Sequence, residues 1–355
     1  MRYCIHHLND FSGSPLILRE RMNAMLAHGP VTLITNRDVG FLSTWPGTKI
    51  EFSYFKHQDP VRRFISLSYW YIQVGIYLLQ HAEPGDSITL STLISSPLIL
   101  IRSIKAGLYI EIFVNEVFFR VPIWRWIGLT AINSSCVNKI YLSRFVQDKW
   151  SFAGPSAVVY PSLRQSIIDL ATEQQSPRPA DPSGLRFLLV CSQIDAKGYR
   201  LFIEIARHFE KIGGTHSFTL YLSGSEDRFI SDYPSTNLPN NLSVFFNNTS
   251  AEIFFGHDVF LGLTDPAAWI ETFGQTFAEA MVAGNITIVP PVGAQLEYLR
   301  DGDNGLVFSE YTLRGLLAQV DRIMALPDLN QMKARARSSM LAFLKAQKHY
   351  RPTNV

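Results

Sequence analysis

Short apolar runs alternate with amphipathic stretches along the whole chain, which is the pattern of parallel strands wrapped by helices. In the first half, Arg2–Leu8 reads as a buried strand, Ser12–Pro15 as a turn and Leu16–His28 as a helix that stops at Gly29. Val31–Thr35, Ser87–Ser91, Tyr109–Val114, Lys139–Ser143 and Ala157–Pro161 repeat the strand pattern. The most apolar run, Phe64–Leu79, is shorter than the ~20 residues a membrane-spanning helix needs. It is interrupted by Ser66, Ser68 and Gln73, so it is expected as a helix buried against the sheet.

The segment Thr172–Gly184, TEQQSPRPADPSG, is polar and proline-rich, and reads as an interdomain linker. The pattern then restarts. Arg186–Cys191, Phe218–Gly224, Leu242–Phe246, Asp258–Leu263 and Ile286–Pro291 read as strands, with helices at Tyr199–Lys211 and Gln275–Ala283. A basic helix at Gln331–His349 is expected to carry its charges on a solvated face. The predicted fold is therefore α/β, with two Rossmann-like doubly wound domains facing across a cleft. Their expected spans are 1–171 and 185–330, joined by a linker at 172–184; a basic helix and tail at 331–355 has a path open back to the first domain.

Length and composition agree with that division. The 355 residues fit two domains of roughly 150 to 180 residues each. Lys+Arg of 32 against Asp+Glu of 30 leaves little net charge, which argues against a general nucleic-acid binder. Cys4, Cys136 and Cys191 stand far apart with no CxxC pair, so neither a disulfide framework nor a zinc site is indicated. The N-terminus runs straight into the first strand without a basic-then-apolar signal, so a cytoplasmic setting is expected.

The stretch WIETFGQTFAEAMVAG, Trp269–Gly284, carries the chemistry. Glu271 precedes a helix and Glu279 lies well inside it, so helix capping explains neither carboxylate. Between them, Phe273 and Gly274 mark the helix mouth. Gly274 allows close backbone approach, and the amides of Gly274, Gln275 and Thr276 would open the helix as an anion site for a phosphate or diphosphate. One turn on, the Glu279 carboxylate suits the vicinal hydroxyls of a ribose. Glu271 would then face whatever hangs from the diphosphate, and a nucleotide-linked sugar satisfies all three features.

These residues resemble the GT-B glycosyltransferases of glycosyltransferase family 4. The resemblance rests on ETFGQTFAE (Glu271–Glu279), with two glutamates separated by seven residues, and continues through AMVAGNITIVP, VGAQLEYL and DGDNGLVF up to Phe308. Elsewhere Phe11–Pro15 is similar to that family's glycine-rich loop after the first strand, Tyr141–Trp150 and Val158–Ser162 to the last strands of its first domain, and Ala196–Gly198 to its lysine-glycine pair. The resemblance implies a retaining, metal-independent transfer of a sugar from a nucleoside-diphosphate sugar. It implies Glu279 on the donor ribose, Glu271 on the donor sugar, and Lys197 with the Gly274 and Gln275 amides on the diphosphate. Phe273, Thr276, Gly13, Ser14 and Ser192 are further donor-side candidates, and Asn115, Glu116 and Arg144 acceptor-side ones. No cofactor and no metal are expected, since there is no DxD pair at a strand end and no histidine cluster with metal-ligand spacing.

The sequence also departs from the family. An arginine usually stands shortly before the lysine, where this chain has Cys191, Ser192 and Gln193. Arg19 and Arg144 are candidates to replace that charge. After Tyr109–Val114 the family often has a histidine, and here Asn115 and Glu116 follow. His6 and His7 are expected to be packing residues. Phe118–Leu129 interleaves aromatics with Arg120 and Arg125; it suits a lipid headgroup layer, favouring a lipid-linked saccharide acceptor, and equally an acceptor-side loop packed on its own domain. Surface polysaccharide or glycolipid assembly on the cytoplasmic membrane face is the expected setting. The rival expectations are a GT-B scaffold that binds nucleotide or glycan without turnover, and a sugar-nucleotide epimerase on the same fold.

Overall fold

The computed structural model describes residues 1–55, 57, 59–117, 122–133, 136–150, 152–234 and 237–347, the side chains of 122–125 excepted. The chain divides into two compact units, with the division between Ser162 and Leu163.

The first unit is a seven-stranded, wholly parallel sheet. Its strands are β1 (Arg2–Ile5), β2 (Val31–Asn36), β3 (Lys49–Phe52), β4 (Ser87–Leu90), β5 (Tyr109–Val114), β6 (Val137–Tyr141) and β7 (Ser156–Val158), in the order β3-β2-β1-β4-β5-β6-β7. The helices are α1 (Gly13–Leu26), α2 (Pro60–His81), α3 (Ile101–Ile104), α4 (Pro122–Ile132) and α5 (Arg144–Lys149). Alternate side chains on one strand enter different cores, because successive Cβ atoms point to opposite sheet faces. Tyr3 and Ile5 join the large cluster with Trp70, Val74 and Ile112, whereas Cys4 joins Leu18, Met22 and Leu33. That is why β1 and β5 are apolar at nearly every position rather than at every second one.

β1 and the helix expected at Phe64–Leu79 differ in detail from the sequence reading. β1 ends at Ile5 rather than Leu8 because the chain turns: the Leu8 amide donates to Nδ1 of His6 at 3.1 Å. The Phe64–Leu79 helix is present inside α2, yet only one of its faces is buried.

The second unit has a six-stranded parallel sheet. Its strands are β8 (Arg186–Ser192), β9 (Ser217–Ser223), β10 (Leu242–Phe246), β11 (Val259–Leu261), β12 (Ile286–Val289) and β13 (Leu306–Val307), ordered β10-β9-β8-β11-β12-β13. Helices α6 (Gln165–Glu173), α7 (Tyr199–Lys211), α8 (Glu226–Asp232), α9 (Gln275–Val282), α10 (Leu313–Met324) and α11 (Leu329–Ala346) complete it. The order reverses between β8 and β11, so the loops after those strands diverge and leave a crevice at their carboxyl ends.

The polar segment at 172–184 lies within this unit and is fastened to it. Pro177 packs close against Gly284, and the Ala180 amide donates to Asn330 at 2.8 Å. The division comes earlier because α6 buries Ile167 and Ala171 in the second unit. The basic helix α11 does not carry all its charge on a solvated face, contrary to the expectation. Lys333 is 1% exposed and bonds Asp258 at 2.7 Å, while Asp258 also takes two bonds from Arg186 at 2.8 Å. Arg337 donates to the carbonyls of Ala171 and Ala283. Lys333 is inside because Asp258, fully buried just before β11, requires cationic partners to remain ionised. Residues 348–355, and with them the expected path back to the first domain, lie outside the described residues.

Candidate functional site

The donor-side candidates of the second unit gather at the point where its strand order reverses. Leaving β8, the chain makes a tight 3-10 turn at Asp195–Lys197 and passes Gly198 in the left-handed region, φ +77°. The turn is stitched to the loop after β11, since the Asp265 amide donates to the Ala196 carbonyl at 2.8 Å. Gly198 is demanded there: a Cβ would sit 2.0 Å from the Leu263 carbonyl oxygen.

That stitching carries Lys197 to Glu271. Lys197 Nζ donates to Oε1 of Glu271 at 2.5 Å, and the Thr264 hydroxyl donates to the same oxygen at 2.6 Å. The ammonium also lies 4.8 Å from the ring centre of Trp269, a cation–π contact. Glu271 is held from behind by its backbone, whose carbonyl accepts from the Ala294 amide at 2.9 Å. Two side chains 74 positions apart are thus joined by loops that the parallel sheet places side by side.

Three residues after Glu271, Gly274 opens α9 with φ +78°. A Cβ at Gly274 would meet Phe277 at 2.8 Å and the Tyr298 hydroxyl at 2.9 Å, so only glycine fits the mouth of this helix. Tyr298 donates to the Phe273 carbonyl at 2.7 Å, fixing the entry to α9, and burial pushes the Tyr298 hydroxyl well above the ordinary phenol range. Phe273 is itself buried against Tyr298, so its side chain supports the loop from within. The amides of Gly274, Gln275 and Thr276 occupy the first turn, where a helix has no internal acceptors for them. Ser192 ends β8, paired in register with Ser223. Beside it, burial pushes the Cys191 thiol up to about 12, which keeps it protonated.

Glu279 is 2% exposed, and the structure supplies a partner that the sequence did not announce. Arg164 Nε and Nη2 donate to its two carboxylate oxygens at 2.8 and 3.0 Å, a bidentate pair, and Nη1 donates to the Thr249 carbonyl at 2.5 Å. Arg164 stands at the N-cap of α6, where a cation opposes the helix dipole and is disfavoured. An arginine at such a position is the available sequence signal that it answers to a specific anion.

In the first unit, Gly13 begins α1 and Ser14 follows it. A Cβ at Gly13 would meet nothing within 4 Å, so local packing does not require glycine there. His6 is fully buried, and burial pushes its imidazole down to about 4. Its Nδ1 accepts from Leu8, so the neutral ring carries its proton on Nε2 and donates to the Ser14 hydroxyl at 3.0 Å. Past β5, Asn115 donates to the Ser91 carbonyl at 2.6 Å, and Glu116 accepts from the Leu93 amide at 3.0 Å. Burial pushes the Glu116 carboxyl up to about 7. Arg144 opens α5 at the surface, and Arg19 lies over the Phe41 ring at 5.3 Å. Of Phe118–Leu129, residues 118–121 lie outside the described residues, and Trp126 on α4 is exposed. Among the described residues no helix is long and apolar enough to cross a membrane.

With this geometry in hand, the family described as glycosyl transferases group 1 matches residues 172–339, which contain Lys197, Glu271 and Glu279. No curated protein matches the chain in sequence. Solved structures match it nearly end to end. The Anabaena protein HepE, in complex with UDP and glucose, superposes with a TM-score of 0.72 at 13% identity, covering 98% of this chain and 95% of that one. Sucrose-phosphate synthase from Thermosynechococcus elongatus gives 0.74 at 14% identity, covering 97% and 94%. WaaG, a glycosyltransferase involved in lipopolysaccharide biosynthesis, gives 0.71 at 14%, covering 99% and 96%. The fold of the whole chain is the GT-B fold of these structures.

Proposed function

We propose that the protein transfers a sugar, with retention and without a divalent metal, from a nucleoside-diphosphate sugar to a saccharide or lipid-linked saccharide acceptor in surface polysaccharide or glycolipid assembly. The observation that carries this reading is the Lys197–Glu271 contact in front of the α9 N-terminus. The diphosphate takes the α9 amides and draws Lys197 Nζ onto its oxygens, and Glu271, released from the lysine, accepts hydroxyls of the donor sugar. As the glycosidic bond breaks, negative charge grows on the leaving diphosphate, so a fixed ammonium and preoriented amides stabilise the transition state more than the ground state. The acceptor hydroxyl attacks from the leaving-group face and passes its proton to the departing phosphate. Arg164 orients the Glu279 carboxylate through a bidentate pair, and that carboxylate is the acceptor for the ribose hydroxyls.

The test is a thermal-shift panel of UDP, GDP, ADP and their sugar conjugates, followed by nucleotide release from the conjugate that binds. A ligand at 100 times its dissociation constant adds about 2.7 kcal/mol of stability. Glu271→Gln is expected to keep the shift and lower release by about 10²-fold or more. If none of the nucleotides moves the melting temperature, the transferase reading gives way to a non-catalytic scaffold, for which the lack of an arginine among Cys191, Ser192 and Gln193 is the motive.

A further inference from the structure

We propose that the outer face of α2 is a docking surface for an anionic lipid bilayer. One face of α2 packs on the sheet through Leu67, Trp70, Tyr71, Val74 and Leu78. The opposite face carries Val61, Ile65, Tyr69, Ile72 and Ile76, each between 51% and 63% exposed. At ~100° per residue these five fall within an arc of about 80°, and they form a stripe about 22 Å long. The outward face of a surface helix is ordinarily polar, so a second apolar stripe diametrically opposite the core stripe has no role in folding this unit.

Charge distinguishes among the surfaces that would cover it. Between the N-cap Asp59 and Glu83 the helix contains no acidic residue, while Arg62 and Arg63 stand exposed at its first turn. At the far end Lys105 reaches in and donates to the Leu79 carbonyl at 2.9 Å. Helix α3, packed beside α2, adds exposed Leu100 and Ile104 next to Arg102. Apolar side chains with a tyrosine among them, cations at both ends and no carboxylate between Asp59 and Glu83 are complementary to acyl chains beneath anionic headgroups. With no spanning helix among the described residues, α2 lies along such a surface rather than through it. The surface is separate in sequence from the Phe118–Leu129 segment, and it gives a lipid-linked acceptor of the proposed transferase a bilayer to be met on.

The experiment is co-sedimentation of the full chain with vesicles of phosphatidylcholine alone and of phosphatidylcholine mixed with phosphatidylglycerol. Wild type is expected to pellet with the mixed vesicles and to stay in the supernatant with phosphatidylcholine. I65E/I72E is expected to stay in the supernatant with both, at wild-type melting temperature and with an unchanged nucleotide-induced shift. R62E/R63E, which leaves the stripe in place, is expected to weaken pelleting and provides the second readout should I65E/I72E fail to fold. Wild type remaining in the supernatant with mixed vesicles overturns the proposal, as does undiminished pelleting of I65E/I72E. A wild-type dimer in light scattering that I65E/I72E converts to a monomer overturns it too, in favour of a seam between two copies. Because α2 lies in the first unit and the donor residues in the second, any of these failures leaves the transferase reading to its own nucleotide test.

Discussion

Replacing Arg164 by methionine keeps most of the side-chain volume and removes the charge that faces Glu279. Three hydrogen bonds are lost, two to the Glu279 carboxylate at 2.8 and 3.0 Å and one to the Thr249 carbonyl at 2.5 Å. Both members of the ion pair are mostly shielded from water, with side-chain exposures of 11% and 3%, so solvent compensates little. Hydrogen bonds to charged groups contribute about 1.5 to 3 kcal/mol each, and breaking a buried pair typically costs about 3 to 5 kcal/mol. A loss of ~3 kcal/mol lowers the melting temperature of a unit of this size by about 6 to 12 °C. Calorimetry on wild type, Arg164→Met, Glu279→Gln and the double variant gives both the loss and the coupling. The double variant is expected to be more stable than the sum of the single losses by about 1 to 3 kcal/mol. An Arg164→Met transition within about 2 °C of wild type, or strictly additive losses, would refute the idea that the Arg164–Glu279 pair stabilises the second unit.

Gly198→Ala is expected to destabilise the second unit by about 2 to 4 kcal/mol and to abolish the nucleotide shift, since it places a Cβ against the Leu263 backbone at positive φ. Gly13→Ala, with open space at its Cβ, is the control: chemical denaturation should find it neutral or up to about 1 kcal/mol more stable. Glu116→Gln tests the carboxyl that burial raises to about 7. A raised carboxyl binds its proton more tightly in the folded state, so its stabilisation is complete below pH ~4.5 and is lost as pH rises through 7. The variant should therefore gain on wild type at pH 8, by at most about 3 kcal/mol, with the two curves converging towards pH 4.5. Parallel curves across that range would remove Glu116 from the account. His6, pushed down to about 4, contributes in the opposite direction, its stabilisation being lost as pH falls through 4, and it is common to both proteins.

β5 and β12, buried at nearly every position, were announced by continuous apolar runs, and partly exposed strands such as β9 and β10 by shorter runs rich in aromatic residues. β3 went unannounced because Lys49–Phe52 is an edge strand, half-buried at every position and half charged. β13 is too short to show a period. In the candidate site, Glu271 was legible as a carboxylate that helix capping does not explain, and Lys197 through the resemblance of Ala196–Gly198 to a lysine-glycine pair; their ion pair, between side chains 74 positions apart, was not. Arg164 was not, because its partner lies 115 positions away and no motif surrounds it. The charges of α11 misled for a similar reason: amphipathic periodicity reports which residues are polar, and Asp258, the anion that draws Lys333 inward, is remote in sequence.

The Lys333–Asp258 bond also sets an order of events during synthesis. Asp258 stands just before β11, a strand in the middle of the second sheet, yet one of its two cations is made 75 residues later. Until α11 emerges from the ribosome, β11 can pair with β8 only by burying a carboxylate that lacks half its compensation, or by taking up a proton. In a nascent chain stopped short of Lys333, pairing β11 into the sheet is therefore expected to be weaker than in the finished unit, and the loops that bring Lys197 to Glu271 are expected to settle once α11 has been made.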